Sequence, residues 1–178
     1  MKSTLRGKIR KIKLLVMDVD GVLTDGRIVI DAEGKELKFF DVQDGFGLVL
    51  LRQAGIKTAI LSARCAAAVT ARVTDLKIDK VCQDAYPKSS AYEGLLSEWG
   101  LKDEEVCFMG DDLPDLPVLN EVGFAVAVSN AVAEVKKTAD YVTEKRGGHG
   151  AVREVVEMIL NVQGKWPQIV ADMENSKV

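Results

Sequence analysis

The chain has one histidine, three cysteines and four prolines in 178 residues, and aromatic residues make up only 6% of it. The single histidine, His149, lies in a glycine-rich stretch with nothing to tie it to a cysteine, so a thiol nucleophile activated by imidazole is not expected. Cys65, Cys82 and Cys107 are widely spaced, odd in number and set in or beside apolar segments. They form neither a C-x-x-C zinc pattern nor a disulfide framework and read as reduced core or near-core residues, which favours a reducing, cytoplasmic setting. Positive charge is not in excess: the net charge of −3 excludes the overall basic field that draws in nucleic acid. The local run of Lys2, Arg6, Lys8, Arg10, Lys11 and Lys13 reads as a solvated lead-in to the first strand. Long apolar runs are also missing. The one that begins at Leu14 is broken by Asp18 before it reaches the length of a signal-peptide core, and no stretch is long enough to span a membrane.

What is present is 47% apolar and 29% charged residues, which suits one compact α/β domain over residues 1–178. Its focus is Leu14-Leu15-Val16-Met17-Asp18-Val19-Asp20-Gly21-Val22-Leu23-Thr24-Asp25. The apolar run predicts a strand buried on both faces, as in a parallel sheet covered by helices, so Asp18 falls where the strand emerges. Open α/β sheets bind ligands at that edge. In an extended chain Asp18 and Asp20 point the same way, and Gly21 permits a sharp turn after them. Two carboxylates so close suit a hard cation or phosphoryl chemistry.

Downstream, residues 26–40 predict an inserted β-hairpin turning over Asp31 to Lys35, with Ile28, Ile30, Leu37 and Phe39 as an apolar face for a partner to bury. Asp41-Val42-Gln43-Asp44-Gly45 reads as a loop, and residues 46–54 as a helix closed by Gly55. Residues 57–61 form a second buried strand ending at Ser62-Ala63-Arg64. A helix over 66–76 and a short strand near Val81 follow. Lys88 stands two residues before Ser90 of Ser90-Ala91-Tyr92-Glu93, an S-x-x-E pattern that predicts a capped helix start. A third strand over 106–109 ends at Gly110-Asp111-Asp112-Leu113-Pro114-Asp115. Residues 124–128 and 141–142 read as further strands, 131–138 and the stretch from Val152 as helices, and 146–150 as a flexible loop. The tail over about 164–178 has no assigned place.

Four polar clusters thus recur at strand ends or helix starts: Asp18 with Asp20, Ser62, Lys88, and Asp111 with Asp112 and Asp115. Their order and chemistry, with D-x-D-G-V-x-T over Asp18 to Thr24 and G-D-D-x-x-D over Gly110 to Asp115, resemble the haloacid dehalogenase superfamily. The resemblance implies a Rossmann-like parallel sheet flanked by helices and a Mg²⁺-dependent phosphatase. Asp18 would be the nucleophile, forming an aspartyl-phosphate, and Asp20 the general acid and base. Ser62 and Lys88 would hold the phosphoryl oxygens. Asp18, the Asp20 backbone carbonyl and Asp111 would bind Mg²⁺, with Asp112 and Asp115 orienting the metal's waters, the loop backbone or Lys88. A phosphate dianion repels a carboxylate nucleophile, so such a site must supply positive charge before attack.

The intervals from Asp20 to Ser62 and from Ser62 to Lys88 leave no room for a cap domain. Thr24-Asp25-Gly26, the hairpin, Asp41 to Gly45, Gly110 to Pro117 and Gly147 to Glu154 narrow the resemblance, over residues 8–164, to the 3-deoxy-D-manno-octulosonate 8-phosphate phosphatase family. That implies a homotetramer whose hairpins pack together and whose sites are completed by neighbouring subunits, and a sugar acid phosphate as substrate in lipopolysaccharide precursor synthesis. Arg64 would meet the substrate carboxylate. Lys88 is approached through Asp84-Ala85-Tyr86-Pro87, a departure from the family's usual G-x-x-D-K. His149, where the family often has another residue, reads as a surface residue. A sister phosphatase acting on nonulosonate 9-phosphates, which more often has an acidic residue in the place of Arg64, is the alternative substrate reading. A non-catalytic oligomerisation module of the kind fused to cytidylyltransferases is the other; an expected lack of a preceding transferase domain and the filled catalytic positions speak against it.

Overall fold

A computed structural model of the chain describes residues 3–175. In chain order the elements are α1 (Ser3–Arg10), β1 (Leu14–Met17), β2 (Val29–Ile30), β3 (Glu36–Leu37), α2 (Val42–Gln53), β4 (Lys57–Leu61), α3 (Ala67–Leu76), β5 (Lys80–Cys82), α4 (Lys88–Trp99), β6 (Val106–Gly110), α5 (Leu116–Leu119), β7 (Phe124–Ala127), α6 (Ala133–Thr138), β8 (Tyr141–Val142), α7 (Ala151–Val162) and α8 (Trp166–Asn175).

Six strands form one parallel sheet in the order β5-β4-β1-β6-β7-β8, and β2 pairs with β3 as a separate antiparallel hairpin. Every residue of β1, β6 and β7 is buried, as continuous apolar runs require when helices cover both faces. The chain moves outward from β1 through β4 to β5, then crosses back to lay β6, β7 and β8 on the other side. The direction reverses between β1 and β6, and the crevice beyond their carboxyl ends is where such sheets bind ligands. Leu14 pairs with Val106 and Met17 with Met109, so Asp18 and the Gly110-Asp111 turn leave the sheet side by side. Between β1 and β4 lie only the hairpin and α2, and between β4 and α4 only α3 and β5. The site therefore carries no cap, as the spacing predicts.

Several local expectations are corrected. The basic lead-in is solvated as expected, with Arg6, Lys8, Arg10, Lys11 and Lys13 exposed, but most of it is a helix, α1, which buries Ile9 against the core. Lys8 pairs with Asp140 at 2.5 Å, and just beyond the helix Lys11 pairs with Glu104 at 2.8 Å. Lys2 lies outside the described residues. Asp41 to Gly45 is not a loop: α2 begins at Val42 because the Asp41 carboxylate caps it, accepting from the backbone N–H groups of Gln43 at 2.6 Å and Asp44 at 3.2 Å. The S-x-x-E pattern is not a cap either, since α4 starts earlier, at Lys88, with Pro87 in the cap position. Cys65 is exposed, whereas Cys107 is buried. The tail forms α8, with Trp166 and Ile169 packed against the core.

Residues 146–150 are pinned. The Gly148 N–H donates to the Val22 carbonyl at 2.9 Å, and the Asn130 side chain bridges the two loops, its Oδ1 accepting from the Gly147 N–H at 2.7 Å and its Nδ2 donating to the Gly21 carbonyl at 3.3 Å. A Cβ on Gly147 would collide with that carbonyl, so only glycine allows this approach. Asp44 on α2 holds the far side, accepting from the N–H groups of Gly150 at 3.2 Å and Arg153 at 2.7 Å. It thereby caps the first turn of α7 across the interface of the two helices. Burial pushes its carboxyl up to about 6.

Candidate active site

Each functional side chain is placed by an element end. Asp18 follows the last residue of β1, and its N–H donates to the Met109 carbonyl of β6 at 3.0 Å, so ladder geometry persists through the carboxylate. The chain then reverses. Thr24 closes the reversal: its hydroxyl donates to the Val19 carbonyl at 3.3 Å and accepts from the N–H groups of Gly21 at 3.4 Å and Gly26 at 3.3 Å. Gly21 takes φ +104°, and a Cβ there would meet the Asp111 carboxylate. This is the physical content of D-x-D-G-V-x-T: two carboxylates, a glycine that lets a third come close, and a hydroxyl that ties the turn.

Lys88, the first residue of α4, projects into the same crevice with its side chain 3% exposed. Its ammonium sits 2.6 Å from Asp18 Oδ1 and 2.6 Å from Asp115 Oδ1. Burial works to pull the lysine down, but Asp18 and Asp115 together outweigh it and hold the ammonium above its ordinary range. Asp115 has no free oxygen left, since Oδ2 accepts from the N–H groups of Asp111 at 2.8 Å and Asp112 at 3.3 Å. It fixes both the lysine and the loop that carries Asp111. Asp112 is exposed and caps its own turn, accepting from the Leu113 N–H at 2.8 Å.

Asp18, Asp111 and Asp115 offer carboxylate oxygens within 4.8 Å of one another. One buried ammonium cannot balance three carboxylates. Burial, then the neighbouring acids, push Asp111 up to about 8; burial, opposed by Lys88, pushes Asp18 to about 6. Asp111 Oδ1 is buried with no hydrogen-bond partner among the described residues, an unsatisfied acceptor beside the other carboxylate oxygens of the group. An oxygen-only donor set that is short of positive charge fits a hard divalent cation. With Asp115 committed to Lys88 and the loop, Asp18 and Asp111 are the carboxylates able to hold it.

The remaining expected residues fall at the same mouth. Ser62, just past β4, is buried, and its Oγ accepts from the Arg64 N–H at 3.2 Å, which leaves the hydroxyl proton to donate. The Arg64 guanidinium is half exposed, 3.0 Å from Glu36 and 3.7 Å from Asp20 Oδ2. The Asp20 carboxylate stands outside the three-carboxylate group, turned instead toward Lys38 and Arg64. His149 is exposed on the pinned loop and takes no side-chain part in this cleft.

Lys38, Glu36 and Asn130 were not singled out in the sequence. A signal for the first two exists. In the second hairpin strand Glu36 and Lys38 alternate with Leu37 and Phe39, so period-2 geometry puts both charges on one face and both apolar side chains on the other. The charged face turns to the site, and the apolar one stays exposed, Leu37 at 46% and Phe39 at 68%.

Residues 61–155 match the haloacid dehalogenase-like hydrolase family. A 3-deoxy-D-manno-octulosonate 8-phosphate phosphatase from Escherichia coli K12 is 43% identical over 158 residues, 89% of this chain and 84% of that protein. The crystal structure of the phosphatase of that name from Moraxella catarrhalis, in complex with magnesium ion, phosphate ion and a KDO molecule, is 41% identical; it superposes with a TM-score of 0.95 over 97% of this chain and 99% of the other. A cobalt-bound form of the Haemophilus influenzae phosphatase is 40% identical, with a TM-score of 0.86 over 89% of this chain and 92% of that one. With its parallel sheet, capless crevice, three-carboxylate group and buried lysine, this chain is a phosphatase and belongs to the 3-deoxy-D-manno-octulosonate 8-phosphate phosphatase family of the haloacid dehalogenase-like hydrolases.

Proposed function

We propose that the protein hydrolyses 3-deoxy-D-manno-octulosonate 8-phosphate to the free sugar acid and inorganic phosphate through a phosphoryl group carried on Asp18, with Mg²⁺ as its metal. The observation that carries the reading is the pairing of the buried Lys88 with Asp18 at 2.6 Å beside the unsatisfied Asp111 oxygen. Asp18 and Asp111, with the Asp20 backbone carbonyl, would hold the metal. When bound it supplies the positive charge that offsets repulsion between a phosphate dianion and a carboxylate nucleophile.

The chain's own groups do the rest. Lys88 keeps Asp18 Oδ1 engaged, so the other oxygen of that carboxylate is the one that attacks phosphorus. As the phosphorus–oxygen bond to the sugar breaks, Asp20 gives its proton to the departing alkoxide, leaving Asp18 phosphorylated. Asp20, now a carboxylate, takes a proton from water as the water attacks the phosphoryl group. Asp18 leaves, inorganic phosphate is released and both aspartates return to their starting states. Ser62 donates to a phosphoryl oxygen, and Arg64 meets the carboxylate of the sugar acid. Because the sister phosphatases more often have an acidic residue in the place of Arg64, this guanidinium favours the octulosonate over the nonulosonate 9-phosphates.

The exposed apolar side chains of Ile28, Ile30, Leu37 and Phe39 support assembly through the hairpins into a homotetramer in the cytoplasm, where three unpaired cysteines persist. Sedimentation velocity reads this directly: a tetramer is expected, and a monomer at micromolar concentration contradicts it.

The substrate assignment is tested by inorganic phosphate release from octulosonate 8-phosphate, a nonulosonate 9-phosphate and simple hexose phosphates, with Mg²⁺ and with chelator. The octulosonate is expected to lead the hexose phosphates in kcat/KM by on the order of 10²-fold, the scale of one charged contact, and to lead the nonulosonate as well, and chelator is expected to stop release. A lead for the nonulosonate overturns the substrate; release unaffected by chelator overturns the metal; no release from any of them revives the oligomerisation module.

A further inference from the structure

The four charged groups at the mouth of the crevice close a ring. Lys38 contacts Asp20 Oδ1 and stands 2.7 Å from Glu36 Oε1; Arg64 stands 3.0 Å from Glu36 Oε2 and 3.7 Å from Asp20 Oδ2. Acid and base alternate around it, so the ring is neutral with Asp20 ionised and holds one positive charge when Asp20 carries the proton it donates. Its members differ in access: the Arg64 side chain is 50% exposed, Asp20 and Glu36 18%, and Lys38 only 1%. A lysine this enclosed on a hairpin whose other face is bare apolar surface is unusual, because hairpin lysines ordinarily keep their ammonium in water.

We infer that Lys38 is a positioning residue for Asp20, holding Oδ1 so that Oδ2 is the oxygen presented to the leaving group. This rests on the reading of Asp20 as the proton donor. An ammonium has only protons to give, so the Asp20 oxygen it binds cannot carry the proton on that side, whether the carboxyl is charged or neutral. Arg64 at 3.7 Å lies beyond hydrogen-bond length from Oδ2 and, half exposed, is free to turn to a substrate carboxylate while Lys38 and Glu36 stay in place. The hairpin thus reaches its own chain's chemistry through Lys38 while its apolar side faces outward.

The leaving group separates this role from a structural one. A sugar alkoxide needs a proton as it departs; nitrophenolate does not. In Lys38→Met, kcat/KM for the best sugar phosphate of the wild-type protein is expected to fall on the order of 10²-fold, the scale of general acid catalysis, while kcat/KM for p-nitrophenyl phosphate stays within about threefold. Sedimentation should match the wild type, and both substrates are assayed below the melting transition, which should fall because Asp20 and Glu36 lose an enclosed cation. Lys38→Gln, which keeps one donor, is the second variant should the first not fold, and Lys38→Arg is expected to recover part of the sugar phosphate activity. Equal losses on both substrates, or no loss on either, overturn the proposal. Asp20→Asn under the same assay keeps the two readings apart. If it too loses both substrates equally, the assignment of Asp20 fails; if it discriminates while Lys38→Met does not, Lys38 alone is wrongly assigned.

Discussion

Asp18→Asn is expected to lose phosphatase activity by on the order of 10⁴-fold or more, the scale of removing a covalent nucleophile, while melting at or above the wild-type temperature. The two effects have separate causes. Asparagine keeps the shape and one oxygen acceptor for Lys88, but its amide nitrogen cannot take a phosphoryl group in place of the lost carboxylate oxygen. Stability should not suffer, because burial already pushes Asp18 up to about 6; a neutral isostere removes a charge that the site holds at a cost, and Lys88 retains Asp115 at 2.6 Å. Activity assays and melting curves on the same preparation check both. Activity near that of the wild type removes Asp18 as nucleophile, and a large fall in melting temperature would assign the residue a structural role instead.

Lys88→Met should abolish activity on the order of 10³-fold but move stability the other way. The substitution fills similar volume and removes the single buried cation among Asp18, Asp111 and Asp115. Breaking a buried pair by removing one partner costs about 3–5 kcal/mol, and here two carboxylates lose their partner at once. In the presence of chelator the melting temperature should fall on the order of 10 °C, given about 2–4 °C per kcal/mol for a chain of this size. Added Mg²⁺ should recover part of that loss, since a divalent cation beside the same oxygens supplies charge that the lysine no longer does. An unchanged melting temperature in chelator would mean that the carboxylates do not feel the lysine, against the geometry. The opposite signs for Asp18→Asn and Lys88→Met distinguish a charge-starved site from one that is simply sensitive to any change.

The strands that build this site were legible because each is a short apolar run ended by polar residues, and a buried parallel strand leaves just that trace. Leu14–Met17, Lys57–Leu61 and Val106–Gly110 could be read directly, and with them Asp18, Ser62 and Asp111 as residues leaving one sheet edge. The places where the reading failed are governed by contacts far apart in sequence. Asp41 and Asp44 look like loop residues, yet one caps its own helix and the other caps α7, more than 100 residues away. The glycines at 147 and 148 look flexible, and it is the approach of Gly21 and Thr24 that pins them. The S-x-x-E pattern after Lys88 is locally sound but loses to a helix start one turn earlier, where the ammonium gains Asp18 and Asp115. Lys38 lay in plain view on the charged face of the hairpin; that this face folds back on Asp20 is a tertiary fact.

A capless crevice leaves water exclusion to be provided elsewhere, and the hairpin is the element placed to provide it. Its charged face closes on Asp20 and Arg64, and its apolar face is exposed, with Ile30 at 62% and Phe39 at 68%. Burying that apolar face against other subunits would stiffen the charged one, and assembly and chemistry would then share one short segment.

The most direct measurement is an acid quench of the wild-type protein during turnover of octulosonate 8-phosphate with Mg²⁺, followed by peptide mass spectrometry. A phosphoryl group on the peptide containing Asp18, absent from Asp18→Asn, is the predicted result. Steady turnover with no phosphorylated peptide, or a phosphoryl group on any other residue, would contradict the account.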